Sequence, residues 1–483
     1  MQNKHPNSLW ILCFTETWER YGFYVLQSLI ALYISLHFGM NDAEVYFLVG
    51  AFTALSYISP IVGGWISDHY LGQKQSVLFG LLLLAASYLG LAWTDKLSGI
   101  YPLLAGVALG TGLLKPNLSS LLGRQYDNDT EQRNSGFTLF YMGINLGIFL
   151  GTSLPSKIQA IFGWHACFFS AAIGIFIALA LFTGGSSYII TPNWLQSRKT
   201  NQRISDYILA GIIALSFYLI ARFVLLHQSI SNIFFYSTVF LGISYIFYTI
   251  FHERDLQRKQ TITYFLLLII STCFWSFYFQ IFMSLTLFIS RCVQPQVFGI
   301  NVPAPYYIAV QSLGIVVFGF VLQKFWKKRG NTKKNTSIAY NTSITFFLSI
   351  LTMIFVYSLI LLAISSTAPL EKISPWLILL AYLLISLAEL LISPIGLASV
   401  SSLVRTDIVG TMMGIFFVSL GLGGFFAGKL SSLTTIKPGQ DNLATIKAVY
   451  FQGFLHAIAL LVAVLILALC VIAATRYIFR SKK

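Results

Sequence analysis

Fourteen apolar runs, each about twenty residues or longer, constrain this chain more than any other feature. A helix needs about 20 mostly apolar residues to cross the hydrocarbon core of a bilayer. Runs of that kind lie at about 9–37, 44–68, 75–94, 99–123, 135–160, 164–186, 205–226, 231–251, 261–291, 303–325, 340–364, 374–402, 408–430 and 446–476. Only 10% of the residues are charged and 56% are hydrophobic, against about 25% charged in soluble domains. A chain this long and this apolar cannot hide its apolar surface from water, so lipid must be its solvent. The sequence therefore predicts an all-α polytopic membrane protein.

The basic residues give the orientation. A net charge of +15 can signal nucleic acid, but here the cations sit in short segments between the runs, the pattern of the positive-inside rule. No nucleic-acid partner is expected. With a cytoplasmic N-terminus, 21 of the 31 Lys and Arg fall on the cytoplasmic side and 8 outside, and Arg20 and Lys115 remain at membrane depth. The split supports two cytoplasmic termini and an even number of spans, twelve or fourteen. The first run carries Glu16, Glu19 and Arg20, unlike a signal-peptide core. Five cysteines, at 13, 167, 273, 292 and 470, have no repeated spacing, and neither a disulfide framework nor a metal site is expected.

The runs group as six, two and six. The boundaries expected are a six-helix bundle over 1–186, a linker with two additional spans over 187–260, and a second six-helix bundle over 261–483. The stretch 187–204 reads as a polar linker and 324–338 as a basic cytoplasmic loop.

The chemistry is concentrated in charges that lipid should exclude. A charged side chain at a helix centre costs about 2.5–3.5 kcal/mol on insertion scales. Glu16, Glu19 and Arg20 share one face of the first helix, at spacings of three and four. Lys115 lies in the fourth run beside Pro116, and Glu389 in the tenth helix of the two bundles ahead of Pro394. Five such charges must line a polar cavity and pair with one another. Burial and neighbouring cations act in opposite senses on a carboxyl's proton affinity, a balance that suits a proton-coupled carrier. No G-x-x-x-x-G-K-[ST] occurs, so ATP hydrolysis is not expected. No nucleophile and base stand in a recognisable motif, so an enzyme is not expected, and no cofactor.

Gly143, Gly147 and Gly151 recur every four residues, as do Gly410 and Gly414, and Gly424 and Gly428. Small residues at this spacing predict close helix packing. Proline beside Lys115 and Glu389 predicts bends there. The segment Gly63-Gly-Trp-Ile-Ser-Asp68-His-Tyr-Leu-Gly72-Gln-Lys74 resembles the signature loop of the major facilitator superfamily. Two six-helix halves with a long connection are the layout of that superfamily, with the site between the halves near mid-membrane.

Within it the chain resembles the proton-dependent oligopeptide transporters. The first helix reads Glu16-Thr-Trp-Glu19-Arg20-Tyr-Gly-Phe23-Tyr24, close to the family's E-x-x-E-R-F-x-Y-Y. Gly110-Thr-Gly-Leu-Leu-Lys115-Pro-Asn, Phe140-Tyr141-Met-Gly-Ile-Asn145 and Glu389-Leu-Leu-Ile-Ser-Pro394 match as well. The additional pair of helices is usual in bacterial members. The resemblance implies proton-coupled symport of di- and tripeptides into the cell by alternating access, across the inner membrane, with peptides, protons and the bilayer as partners. A monomer is expected. The resemblance also implies that Arg20 and Lys115 hold the peptide carboxylate and that Glu389 and Asn145 hold its ammonium. Tyr24, Tyr57 and Trp275 would line the pocket, and Glu16, Glu19 and Lys115 would couple protons.

The chain departs from the family at an outer-gate ion pair. The usual acid of the seventh helix is replaced by Phe279, and the usual arginine of the first helix by Gln27. Losing both is physically coherent, because losing one would strand a buried charge. The expectation is a gate closed through Gln27, Tyr278 and aromatic packing, with altered proton coupling. Gly314 replaces one ammonium ligand in Gln311-Ser312-Leu313-Gly314, and Phe416 replaces a tryptophan. The other readings are a related carrier of an amino acid derivative or nitrate, and a peptide sensor that does not transport.

Overall fold

The computed structural model describes residues 5–126, 130–191, 200–297, 299–330, 338–440 and 442–478. Positions 192–199 of the expected linker and 331–337 of the expected basic loop lie outside the described residues, as do the charged ends Lys4, Arg480, Lys482 and Lys483.

The chain forms helices α1 (Asn7–Phe38), α2 (Asp42–Ile66), α3 (Gln73–Trp93), α4 (Leu97–Arg124), α5 (Thr130–Ser153), α6 (Pro155–Gly184), α7 (Thr200–Leu226) and α8 (Gln228–His252). They continue as α9 (Asp255–Tyr278), α10 (Ser284–Cys292), α11 (Ala304–Gly330), α12 (Ile338–Ser365), α13 (Pro375–Leu403), α14 (Val409–Ser431) and α15 (Leu443–Ile478). A two-residue antiparallel ladder, β1 (Gln296–Val297) with β2 (Ile300–Asn301), turns the chain between α10 and α11. Among the described residues, fourteen helical spans are long and apolar enough to cross a membrane, with α9 and α10 together forming one of them.

Part of each expected connection is helix, since α7 begins at Thr200 within the stretch expected as a linker and α11 continues to Gly330 through the first half of the expected basic loop. The runs themselves differ from expectation in two places. The fifth run, read as 135–160, ends at Ser153 because Pro155 opens α6. A proline is tolerated in a first turn, where its missing N–H is not needed. The break read at 161–163 survives only as Gly163, whose positive φ of 82° interrupts α6. The ninth run, read as continuous over 261–291, is broken by a 3-10 turn at Phe279–Phe282. Backbone at membrane depth must be satisfied by protein. The Thr286 hydroxyl donates to the Ile281 carbonyl at 2.6 Å and the Tyr357 hydroxyl to the Phe277 carbonyl at 3.1 Å. Gln280 ties the turn to its surroundings: its amide donates to the carbonyls of Ser276 and Ala427, both at 3.0 Å, and its oxygen accepts from the hydroxyls of Ser284 and Ser431.

By contact the chain forms two compact units, Met1–Tyr33 with Leu55–Ser231, and Ile34–Ala54 with Asn232–Lys483. In the first, α3 packs against α4 and α6, and α7 against α4. A Cβ on Gly63 would lie 2.1 Å from the carbonyl oxygen of Gly112, so only glycine permits this approach of α2 to α4. In the second unit, α12 packs on α13 and α15, α9 on α14, and α11 on α13.

The start of α2 is tied into the second unit by an ion pair that sequence reading did not anticipate. Arg291, at the end of α10, donates from Nη1 and Nη2 to the two carboxylate oxygens of Asp42 at 2.8 and 2.7 Å. Asp42 also accepts from the backbone N–H of Ile436, and Arg291 donates to the Tyr450 hydroxyl. Asp42 is 4% exposed, so this fork-to-fork pair is both directional and shielded.

The glycine repeats divide. Gly143, Gly147 and Gly151 of α5 lie against Cys13, Thr17 and Tyr21 of α1. Gly424 and Gly428 of α14 meet Thr53 and Tyr46. Among the described residues, Gly410 and Gly414 have nothing within 4 Å of an added Cβ, so the close packing expected of that pair is absent there. All five cysteines are free.

Candidate functional site

In the first unit the charges on α1 form one buried cluster. Glu16, Glu19 and Arg20 are 2%, 1% and 4% exposed. Arg20 Nε lies 3.2 Å from Glu16 Oε1, and the same guanidinium pairs with Glu19. Glu19 also accepts from the Thr111 hydroxyl of α4 at 3.3 Å, a contact not read from sequence. Glu16 Oε2 is buried with no hydrogen-bond partner among the described residues. Lys115 of α4 is half-buried, and its ammonium lies 5.1 Å from the centre of the Tyr57 ring, a cation–π arrangement. Arg20 stands at the same distance over Phe23.

Small residues bring α5 to this cluster. A Cβ on Gly147 would lie 2.3 Å from the Thr17 carbonyl and 2.8 Å from Arg20 Cβ, and one on Gly151 would crowd Tyr24. Asn145, two residues before Gly147, is 6% exposed. Its amide donates back to the Tyr141 carbonyl at 2.8 Å, and its Oδ1 is a buried acceptor with no partner among the described residues. A buried acceptor left unmade costs about 1–3 kcal/mol, which is tolerable where a ligand donor completes it.

In the second unit the acid is Glu389 on α13, half-buried. Its Oε2 accepts from Gln311 Nε2 of α11 at 2.7 Å, and the same amide reaches the Tyr278 hydroxyl at 3.3 Å. Neighbouring bonds hold the backbone: Ser386 donates to the Gln311 carbonyl at 2.6 Å, and Ser349 of α12 to the Ala388 carbonyl at 2.7 Å. Trp275 is 4% exposed, packs edge-on against Tyr278 at 5.0 Å and beside Phe279 at 5.5 Å, and keeps an unpartnered indole N–H among the described residues. Phe279 is itself 1% exposed. An acid in this position would be desolvated among aromatic rings.

The structure therefore brings Glu16, Glu19 and Arg20 together, sets Lys115 on Tyr57, and places Asn145 and Tyr24 on helices packed at the same cluster. In the second unit it joins Trp275 to Tyr278 and Glu389 to Gln311. Gln311 and Thr111, which bond Glu389 and Glu19, were not among the expected site residues, because neither carries a charge that an apolar run must account for. The signal present was a polar side chain inside an apolar run.

A profile of the POT family matches residues 77–450 of the chain. The chain is 29% identical over 464 residues to dipeptide and tripeptide permease A of Proteus mirabilis, covering 94% of this chain and 91% of that one. It is 30% identical over 472 residues to the permease A of Yersinia pestis, covering 94% and 91%. Among solved structures it is similar to a peptide transporter POT in complex with sulfate, with a TM-score of 0.85, 24% identity and coverage of 99% and 96%. It is also similar to tetrameric PepTSo2, with a TM-score of 0.83, 25% identity and coverage of 97% and 98%.

Proposed function

The chain belongs to the POT family, with a major facilitator fold of fourteen spans, and we propose that it carries di- and tripeptides inward together with protons by alternating access. It is a transporter, not an enzyme. The relatives it matches over nearly their whole length are permeases for dipeptides and tripeptides, which supports the substrate class.

The observation that carries the reading is the charge arithmetic of the buried cluster. Glu16 and Glu19 balance Arg20 and Lys115. A peptide's C-terminal carboxylate drawn to Arg20 and Lys115 adds one negative charge at membrane depth, where an uncompensated charge is costly. One proton restores neutrality. Glu16 is the natural recipient, because its Oε2 is buried without a hydrogen bond among the described residues. A proton there loosens the carboxylate's hold on Arg20 and releases guanidinium donors for the peptide. Glu389, which has neutral donors in Gln311 and Tyr278, takes the peptide ammonium. Asn145 Oδ1 offers a further acceptor, and Tyr24, Tyr57 and Trp275 supply apolar walls with polar tips.

The functional division follows as a bundle over 1–186, a linker with two spans over 187–260, and a bundle over 261–483. The protein acts as a monomer in the inner membrane with both termini in the cytoplasm, in keeping with the distribution of Lys and Arg. Gln27 and Phe279 favour coupling that runs through the α1 cluster rather than through an acid on the seventh span.

Competition tests the reading. Unlabelled dialanine should block uptake of labelled dialanine, whereas its C-terminal amide and its N-acetyl form should each compete at least tenfold less well. Equal competition by either capped form would sink the two-ended recognition.

A further inference from the structure

Glu389 is held by a neutral amide, and the contact that allows this is a glycine. Gln311 Nε2 has two N–H groups, one for Glu389 Oε2 at 2.7 Å and one for the Tyr278 hydroxyl at 3.3 Å. Gln311 is 2% exposed, so it can reach the acid only if α11 lies close against α13. One turn on from Gln311, Gly314 faces Ser386. A Cβ at Gly314 would lie 2.4 Å from Ser386 Oγ and 2.9 Å from Ser386 Cβ. Those separations are far inside van der Waals contact, so any larger residue must push the helices apart. Ser386 in turn donates to the Gln311 carbonyl at 2.6 Å. Gly314, Ser386 and Gln311 thus form one device that fixes the height and roll of α11 beside Glu389.

We infer that Gln311 is a positioning residue for ammonium recognition: it fixes the Glu389 carboxylate through Oε2, and Gly314 is the spacer that lets it do so. A half-buried carboxylate without this hold would sample several rotamers, and each binding event would then have to order it again. The fixed acid recognises the charged amino end of the substrate, and Gln311 makes no demand on the carboxylate end. This rests on the peptide reading proposed above. It adds a residue that neither the charge pattern nor Glu389 alone assigns.

The test is transport kinetics in proteoliposomes with labelled dialanine. Gln311→Met keeps length and volume but removes both donors. The KM for dialanine should rise about tenfold, the scale of one hydrogen bond to a charged group, with Vmax within twofold of wild type. The competing affinity of N-acetyl-dialanine, which has no ammonium, should be unchanged. A second route avoids relying on one variant's folding: Gly314→Ala should raise the KM for dialanine in the same way and leave the competing affinity of N-acetyl-dialanine unchanged. An unchanged KM in Gln311→Met, or an equal loss for free and acetylated dialanine, would overturn the inference. Absence of dialanine uptake by wild type would instead overturn the peptide reading itself.

Discussion

Arg20 is the residue on which the α1 cluster turns. It is the only cation within ion-pair distance of Glu16 and Glu19 among the described residues. Removing one partner of a buried charge network costs about 3–5 kcal/mol. Arg20→Ala should therefore lower the folded yield sharply, measured by monodisperse recovery after gel filtration. Arg20→Lys keeps the charge but loses the planar fork. It should leave folding largely intact while uptake falls at least tenfold. Phe279→Asp tests the missing gate acid: a carboxyl among Trp275, Tyr278 and Phe282 has no arginine at position 27 to meet. Uptake should fall, and unchanged uptake would refute the aromatic gate. The clustering of Glu16, Glu19 and Arg20 was legible in the sequence, since a charge in an apolar run requires a reason. Gln311 and Thr111 were not, because a neutral polar residue is cheap enough to be carried for packing alone. Only the 2.7 Å contact with Glu389 separates Gln311 from the many buried polar side chains of this chain.

At the scale of helices, glycine spacing foretold close approach on α5 but not at the start of α14. The difference is measurable. Gly147→Ala would put a Cβ 2.3 Å from the Thr17 carbonyl, and overpacking of this kind costs about 1–3 kcal/mol. Gly414→Ala meets nothing within 4 Å among the described residues and replaces a poor helix former by a good one. The first should lower the thermal midpoint in detergent and the second should hold or raise it; a reversed order would contradict the packing described. Asp42→Asn removes a fork partner from Arg291 and should also lower the midpoint, by an amount not recovered unless Arg291 is neutralised too. The fourteen spans were legible because twenty apolar residues have few other fates. The break at Phe279–Phe282 was not, because it is held by Gln280 bonding to Ala427, 147 positions away. The α5–α6 boundary was misread for a local reason, since Pro155 ends one helix by opening the next.

At the scale of the whole chain, the distribution of Lys and Arg sets an orientation that labelling can read. In a cysteine-free background, Lys372→Cys should react with a membrane-impermeant maleimide in intact cells, and Lys483→Cys only after permeabilisation. The opposite pattern would invert the topology drawn from Lys and Arg. Coupling joins an inward proton gradient to peptide entry, with Glu389 as the acid for the ammonium. It is tested most directly by uptake of labelled dialanine into proteoliposomes, with and without an inward proton gradient, for wild type and Glu389→Gln. Wild type should accumulate dialanine under the gradient, and the variant should not. Uptake that ignores the gradient, or a Glu389→Gln variant that accumulates dialanine as well as wild type, would contradict it.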